Sequence, residues 1–121
     1  MSTIMIVDDS VTLREMMSDM LKKSGINVIE ASNGMEALEQ LKDSSPDLVV
    51  LDVVMPKMNG YELCRQIKKD PKTQNVPVLM CSSKSQEFDR YWGMKQGADA
   101  YIAKPFHPQE LIATIKQLLK K

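Results

Sequence analysis

Aromatic side chains are scarce in this chain: two Phe, three Tyr and one Trp stand among 121 residues. Aliphatic residues and ten methionines must therefore fill most of any core, with Met acting as gap filler rather than as a metal box. Only two cysteines occur, Cys64 and Cys81. They are too few for a disulfide framework, and both fall in apolar periodic segments. There they read as small buried hydrophobes of a reducing compartment. Charge of one sign is also missing, since Lys plus Arg number 16, as do Asp plus Glu. That balance excludes the basic footprint of a nucleic-acid binder and the excess of an acidic tail. No apolar run nears the ~18 residues of a membrane-spanning helix. The first apolar run is short and leads straight into two aspartates, unlike a signal peptide. With no repeat, low-complexity segment or interdomain linker, residues 1–121 read as one soluble, cytoplasmic domain. Its length suffices to bury roughly two-thirds of the unfolded chain's surface.

Strand and helix patterns alternate from end to end. A strand is expected over 3–7, then a helix over 11–23 with Leu13, Met16, Met17, Met20 and Leu21 at helical spacing. Gly25 suits a C-terminal cap. A second strand over 27–30 precedes Asn33, an N-cap with Glu36 three residues on, and a helix to about residue 43 burying Ala37, Leu38 and Leu41. Leu48 to Leu51 is an unbroken apolar run, as a central strand covered on both faces requires. A loop is expected over 55–60, and Asn59 within it caps a third helix carrying Leu63 and Ile67. The fourth strand is expected over 76–81, with Pro77 tolerable only near its start. The fourth helix, over 85–96, is weakened by Gly93; its core contact is assigned to Gly93 and Met94. A fifth strand over 101–103 and a helix opening at Pro108, with Leu111, Ile115 and Leu118 as its core stripe, complete five βα units. The fold class is α/β: a doubly wound, five-stranded parallel sheet in the flavodoxin-like order 2-1-3-4-5, with five helices.

Three strands end in charge. Ile4-Met5-Ile6-Val7 runs into Asp8-Asp9, Leu48-Val49-Val50-Leu51 into Asp52, and Tyr101-Ile102-Ala103 into Lys104-Pro105. Ligands of an open α/β sheet sit outside the carboxyl ends of its strands, and strands one and three meet at the switch point. Asp8, Asp9 and Asp52 are thus neighbours in one cleft with Lys104. Clustered carboxylates repel, which raises their pKa values or requires a cation. Mg²⁺ suits a site of carboxylates, waters and a phosphate oxygen, and a backbone carbonyl after Asp52 can add one more ligand. Asp52 would act as nucleophile toward a phosphoryl group, with Lys104 and Mg²⁺ stabilising the transferring oxygens. Paired acids at strand ends are also ordinary solvated loop residues, and it is the combination of all four charges that favours the site.

On the motifs Val7-Asp8-Asp9-Ser10, Leu51-Asp52-Val53-Val54-Met55-Pro56 with Asn59-Gly60, Ser82, and Gly97-Ala98-Asp99-Ala100-Tyr101 leading to Lys104-Pro105-Phe106, the chain resembles a stand-alone, CheY-like receiver domain of a two-component response regulator. The resemblance covers essentially the whole chain. It implies Asp52 as the phosphoacceptor, and Asp9, Asp52 and the Val54 carbonyl as direct Mg²⁺ ligands, with Asp8 helping through water. It implies a cis Lys104–Pro105 bond. It also implies a switch in which the Ser82 hydroxyl moves to the phosphoryl group and Tyr101 swings inward. The phosphodonor would be a histidine kinase. The target would be a protein contacting the last two helices and the fifth strand, since no residues remain for a DNA-binding or catalytic output domain. No nucleic-acid partner and no membrane insertion are expected. The chain is expected to be monomeric, with a phosphorylation-dependent dimer left open. Segment 89–98 is similar to receivers of type IV pilus twitching or phototaxis systems, which points to motility.

Val54 and Lys84 depart from the family, where amide or acidic groups often orient a hydrolytic water; slow loss of the Asp52 phosphate is the expected consequence. Other readings stay open: a phosphate sink that drains a kinase, an aspartate-nucleophile phosphatase of the haloacid dehalogenase type, or a flavodoxin-like cofactor binder. The phosphatase needs a second Asp where Val54 stands. The cofactor binder needs a phosphate cradle where Asp8 and Asp9 would repel phosphate. His107 reads as a capping or solvated residue, not as a phosphoacceptor. Phe88, Tyr91 and Trp92 crowd the fourth helix, so some of these rings should face solvent.

Overall fold

The structure is a computed structural model that describes residues 2–120. Five strands and five helices alternate along the chain: β1 (Thr3–Val7), α1 (Val11–Lys23), β2 (Asn27–Ala31), α2 (Gly34–Leu41), β3 (Leu48–Leu51), α3 (Gly60–Lys69), β4 (Val78–Ser82), α4 (Glu87–Lys95), β5 (Ala100–Ala103) and α5 (Pro108–Leu119). All strand pairs are parallel and the order is β2-β1-β3-β4-β5, the expected doubly wound arrangement. Side-chain alternation along the strands divides the interior into two cores. Ile4 and Ile6 of β1 face α1 and α5, with Leu21, Leu111 and Ile115. Met5 and Val7 face the other side, with Ala37, Leu63 and Ile67. Central β3 is buried on both faces, which is why its sequence carries no polar alternation.

Short polar residues start the helices. Ser10, Asn33 and Asn59 accept hydrogen bonds from the backbone N–H groups of Leu13, Glu36 and Glu62. Each such cap stabilises its helix by about 1 kcal/mol. The Glu36 carboxylate reaches back to the N–H and hydroxyl of Ser32, and the backbone bond holds its pKa below the usual carboxylate range.

Several local expectations are corrected. β4 starts at Val78, not at residue 76, because Pro77 has no N–H and the N–H of Val76 is spent on the Thr73 carbonyl. β4 runs on to Ser82, β2 runs on to Ala31, and β5 begins at Ala100. α2 stops at Leu41 and α4 spans only Glu87–Lys95, with the Asp89 carboxylate accepting from the Gln86 N–H at its start. Met16 and Met94, both assigned to core stripes, are 43% and 44% exposed. Met16 sits at the margin of the α1 stripe and lines a shallow apolar cavity of about 460 Å³ with Leu13, Pro105 and Phe106. Met1, one of the ten methionines, lies outside the described residues.

One glycine fixes how α3 meets the sheet. The N–H of Gly60 donates to the Val53 carbonyl at 2.8 Å. A Cβ on Gly60 would stand 2.1 Å from the carbonyl oxygen of Asp52, which is backbone and has nowhere to go. Gly60→Ala should therefore destabilise the protein by about 2 kcal/mol or more, read as a shift of the urea midpoint. A loss below about 0.5 kcal/mol, typical of a tolerated surface substitution, would show that the contact does not constrain the helix.

Candidate functional site: an acidic cleft closed by a lysine

The backbone ladder continues past the strand ends and carries the charged residues with it. The Asp8 N–H donates to the Ala31 carbonyl at 3.1 Å, the Asp52 N–H to the Val7 carbonyl at 3.0 Å, and the Lys104 N–H to the Ser82 carbonyl at 2.8 Å. Residues remote in sequence are thus set side by side at the carboxyl edge of the sheet. One carboxylate oxygen from each of Asp8, Asp9 and Asp52 lies within 4.8 Å of the others. Asp8 and Asp52 are 2% and 7% exposed, while Asp9 faces solvent. The Lys104 ammonium lies 2.8 Å from Asp8 Oδ2 and 3.3 Å from Asp52 Oδ2. The Lys104–Pro105 peptide bond is cis.

Unpartnered, two carboxylates this close repel by roughly 3 kcal/mol at an effective dielectric of about 20. The local groups answer that repulsion in part. Asp52 Oδ1 accepts from the N–H groups of Val53 at 2.7 Å and Val54 at 3.4 Å. Asp8 Oδ1 accepts from the Ser10 N–H at 2.9 Å. Burial still holds the Asp52 carboxyl above its ordinary range; the Lys104 charge pulls it down and the Asp8 charge pushes it up. For Lys104, burial works against the ammonium, but the Asp8 hydrogen bond and the Asp52 charge outweigh it, so its pKa is raised. Three carboxylates facing one ammonium leave an excess of negative charge. An all-oxygen cluster with that excess is the donor set that hard divalent cations prefer, and Mg²⁺ fits it.

Ser82 is fully buried at the end of β4, and its Oγ accepts from the Lys84 N–H at 3.2 Å. The Tyr101 hydroxyl donates to the Lys84 carbonyl. The ring of Tyr101 already points inward at 6% exposure, and burial pushes its pKa up to about 12. Space for it comes from Gly93, the one buried residue of α4. A Cβ there would stand 2.8 Å from Met80 Sδ and 3.0 Å from the Tyr101 ring. Arg90 clamps the same tyrosine, with Nη1 donating to its carbonyl at 2.8 Å and the guanidinium 5.4 Å from the ring centroid.

The Val54 side chain is 54% exposed and apolar, so it brings no acid or amide to the cleft. Cys64 and Cys81 are buried free thiols, which burial pushes up to about 11 and about 12. His107 occupies the N-cap position of α5 without a side-chain capping bond. Phe88, Tyr91 and Trp92 are 68%, 57% and 41% exposed. Sequence reasoning missed Arg14 of α1, whose Nη1 donates to the Asp8 carbonyl at 2.6 Å. It also missed the steric roles of Gly60 and Gly93, which show only as close approach in three dimensions.

Fold and cleft together define an α/β domain with an acidic, lysine-closed pocket at its topological switch point. Residues 4–116 match the response regulator receiver domain family, and the chain belongs to it. The phosphate regulon transcriptional regulatory protein PhoB of Pseudomonas aeruginosa is 40% identical over 119 residues, which cover 98% of this chain and 52% of that protein. PilH of the same organism is 40% identical over 119 residues, covering 98% of each. The chain thus spans about half the length of PhoB, and of the next two transcriptional regulators it matches, but nearly all of PilH. The chemotaxis response regulator CheY4 of Vibrio cholerae matches in structure with a TM-score of 0.92 at 30% identity, covering 98% of each chain. Among the described residues no helix is long and apolar enough to cross a membrane.

The raised pKa of Asp52 has a signed consequence. Between the unfolded and the folded pKa the folded state binds more protons, so stability falls as pH rises through that window and the full penalty remains above it. Asp52→Asn should raise the unfolding free energy at pH 7 by on the order of 1 kcal/mol. The gain should shrink as pH falls toward the ordinary value of 3.8. Urea titrations at several pH values measure this; a variant no more stable than wild type at pH 7 contradicts it.

Proposed function

We propose that the chain is a phosphoryl-accepting signalling domain whose acceptor is Asp52, fed by a histidine kinase and read by a protein target. The carrying observation is the Lys104 ammonium, 2.8 Å and 3.3 Å from two buried carboxylates at the mouth of the sheet. A carboxylate oxygen of Asp52 attacks the phosphorus of a phosphohistidine; the new O–P bond forms as the P–N bond breaks, and the imidazole leaves with the electron pair. Lys104 donates to the transferring oxygens, while the N–H groups of Val53 and Val54 hold the carboxylate in place. Asp8, Asp9, Asp52 and the Val54 carbonyl are the residues assigned to hold Mg²⁺, with Asp8 acting through water. When bound, that ion neutralises charge on the phosphoryl oxygens. The domain acts once on its own carboxylate and turns over no separate substrate.

A phosphoryl group adds about −1.5 to −2 charges and three strong acceptors. Ser82 is the hydroxyl placed to answer it. Its Oγ now serves the Lys84 N–H, and the Lys84 carbonyl serves Tyr101, so a turn of Ser82 loosens both bonds together. Tyr101 in turn supports α4 through Gly93 and Arg90. The exposed rings of Phe88 and Trp92, stacked at 6.3 Å on α4, support α4 as part of the face a target protein reads, which this reading extends over β5 and α5. Similarity to PilH and to the chemotaxis regulator CheY4 supports motility or taxis as the pathway. The domain is read as one cytoplasmic receiver.

Incubation with a small phosphoryl donor and Mg²⁺, followed by intact mass, should show one phosphoryl adduct on wild type. Asp52→Ala and chelator-treated wild type should show none; an adduct on Asp52→Ala would place the acceptor elsewhere. The apolar Val54 side chain further implies a long-lived adduct, because it cannot orient a hydrolytic water. Val54→Asn should shorten the lifetime several-fold, and an unchanged or longer lifetime would remove Val54 from the account.

A further inference from the structure

Arg14 lies outside the acid cluster, yet it grips the backbone that carries two of the acids. Its Nη1 donates to the Asp8 carbonyl at 2.6 Å and its Nε to Glu30 Oε1 of β2 at 3.1 Å. The second Glu30 oxygen accepts from the Ser18 hydroxyl at 2.9 Å, and the Glu30 carbonyl accepts from Gln40 Nε2 at 2.9 Å. Ser18 is 2% exposed and the Arg14 side chain 15%, so the donors of this chain of bonds are shielded, while the Glu30 side chain between them is 36% exposed. The Asp8 N–H is held separately by Ala31. Both polar ends of Asp8 are therefore tied to β2, one directly and one through Arg14.

We propose that Arg14, oriented by Glu30 and Ser18, is a positioning residue for the divalent-cation site. The inference rests on the cation reading above and adds to it a residue that no sequence motif pointed to. A planar peptide transmits the constraint. Fixing the Asp8 carbonyl fixes the plane of the Asp8–Asp9 peptide and so the point from which the Asp9 side chain departs. Asp9 is exposed and gets little direction from packing, so its approach to Asp52 depends on that plane. Arginine suits the task because its fork makes two bonds in fixed directions at once, one to the carbonyl and one to Glu30; lysine offers a single flexible ammonium.

Electrostatics alone predicts the opposite outcome, and that makes the idea decidable. The guanidinium is a positive charge beside a cation site, partly offset by Glu30. If charge were its only influence, deleting it would tighten Mg²⁺ binding. If it positions the acids, deleting it weakens binding despite the relieved repulsion. Groups behind metal ligands typically carry 10–100-fold in metal affinity.

The test is calorimetric titration of the full chain with Mg²⁺, without any phosphodonor, for wild type, Arg14→Met, Arg14→Lys and Glu30→Gln. Unfolding midpoints in chelator are measured alongside, to separate general loosening from lost positioning. Arg14→Met and Arg14→Lys should each weaken Mg²⁺ binding by about 10-fold or more, and Glu30→Gln should weaken it by a smaller factor. If Arg14→Met fails to fold, Arg14→Lys and Glu30→Gln decide alone. Binding as tight as wild type in Arg14→Lys, or tighter in Arg14→Met, overturns the proposal while leaving the cation site intact. Failure of wild type itself to bind Mg²⁺ overturns the cation reading and this inference with it.

Discussion

The Lys104 ammonium, wedged between Asp8 and Asp52, is the contact on which the rest of the site depends. Two carboxylates with 2% and 7% exposure cannot share a cleft without a counter-charge. Lysine supplies only one, and the cluster holds three acids. The excess is a standing preference for a hard cation. The same excess costs stability in the unliganded protein, because burial and the Asp8 charge both oppose ionisation of Asp52. A site that binds through unrelieved charge is a strained one, and the fold must hold it open.

Sheet order is how the fold does so. With β1 flanked by β2 and β3, the acids at the ends of β1 and β3 are adjacent, while the crossovers carry the chain away to either side. The ladder then extends one residue beyond β1, β3 and β5, so that the charged residues inherit the precision of the sheet rather than the freedom of a loop. Gly60 brings the start of α3 against the backbone of Asp52 itself. On the far side of the cleft, Ser82, Lys84 and Tyr101 form a hydrogen-bonded path toward α4. That helix buries only a glycine. By burial it is the most lightly packed of the five helices.

Legibility in the sequence followed the physics of each feature. Strands β1, β3 and β5 were readable because an apolar run ended in charge, and helix starts because Ser10, Asn33 and Asn59 are natural caps. The topology followed from five βα units, and the convergence of Asp8, Asp9, Asp52 and Lys104 followed from the topology. Boundaries slipped where one chemical detail outweighed composition: Pro77 delays β4 because it lacks an N–H. Met16 and Met94 were misassigned because helical spacing names a stripe but not its edge. The inward ring of Tyr101 was expected only as the end of a switch, since nothing in the local sequence reveals the hollow that Gly93 leaves. Arg14 looked like any helical surface cation. Its partners are Glu30, sixteen residues away, and a backbone carbonyl, and neither leaves a mark in a linear pattern.

On the proposed reading, three acids from two strand ends converge on one divalent cation beside Lys104. Crystals soaked in Mn²⁺, a close substitute for Mg²⁺ at oxygen sites, test it directly through anomalous scattering. One strong peak in contact with the Asp9 and Asp52 carboxylates, with Asp8 beside it, is the predicted result. A peak elsewhere with this cleft empty would contradict the account.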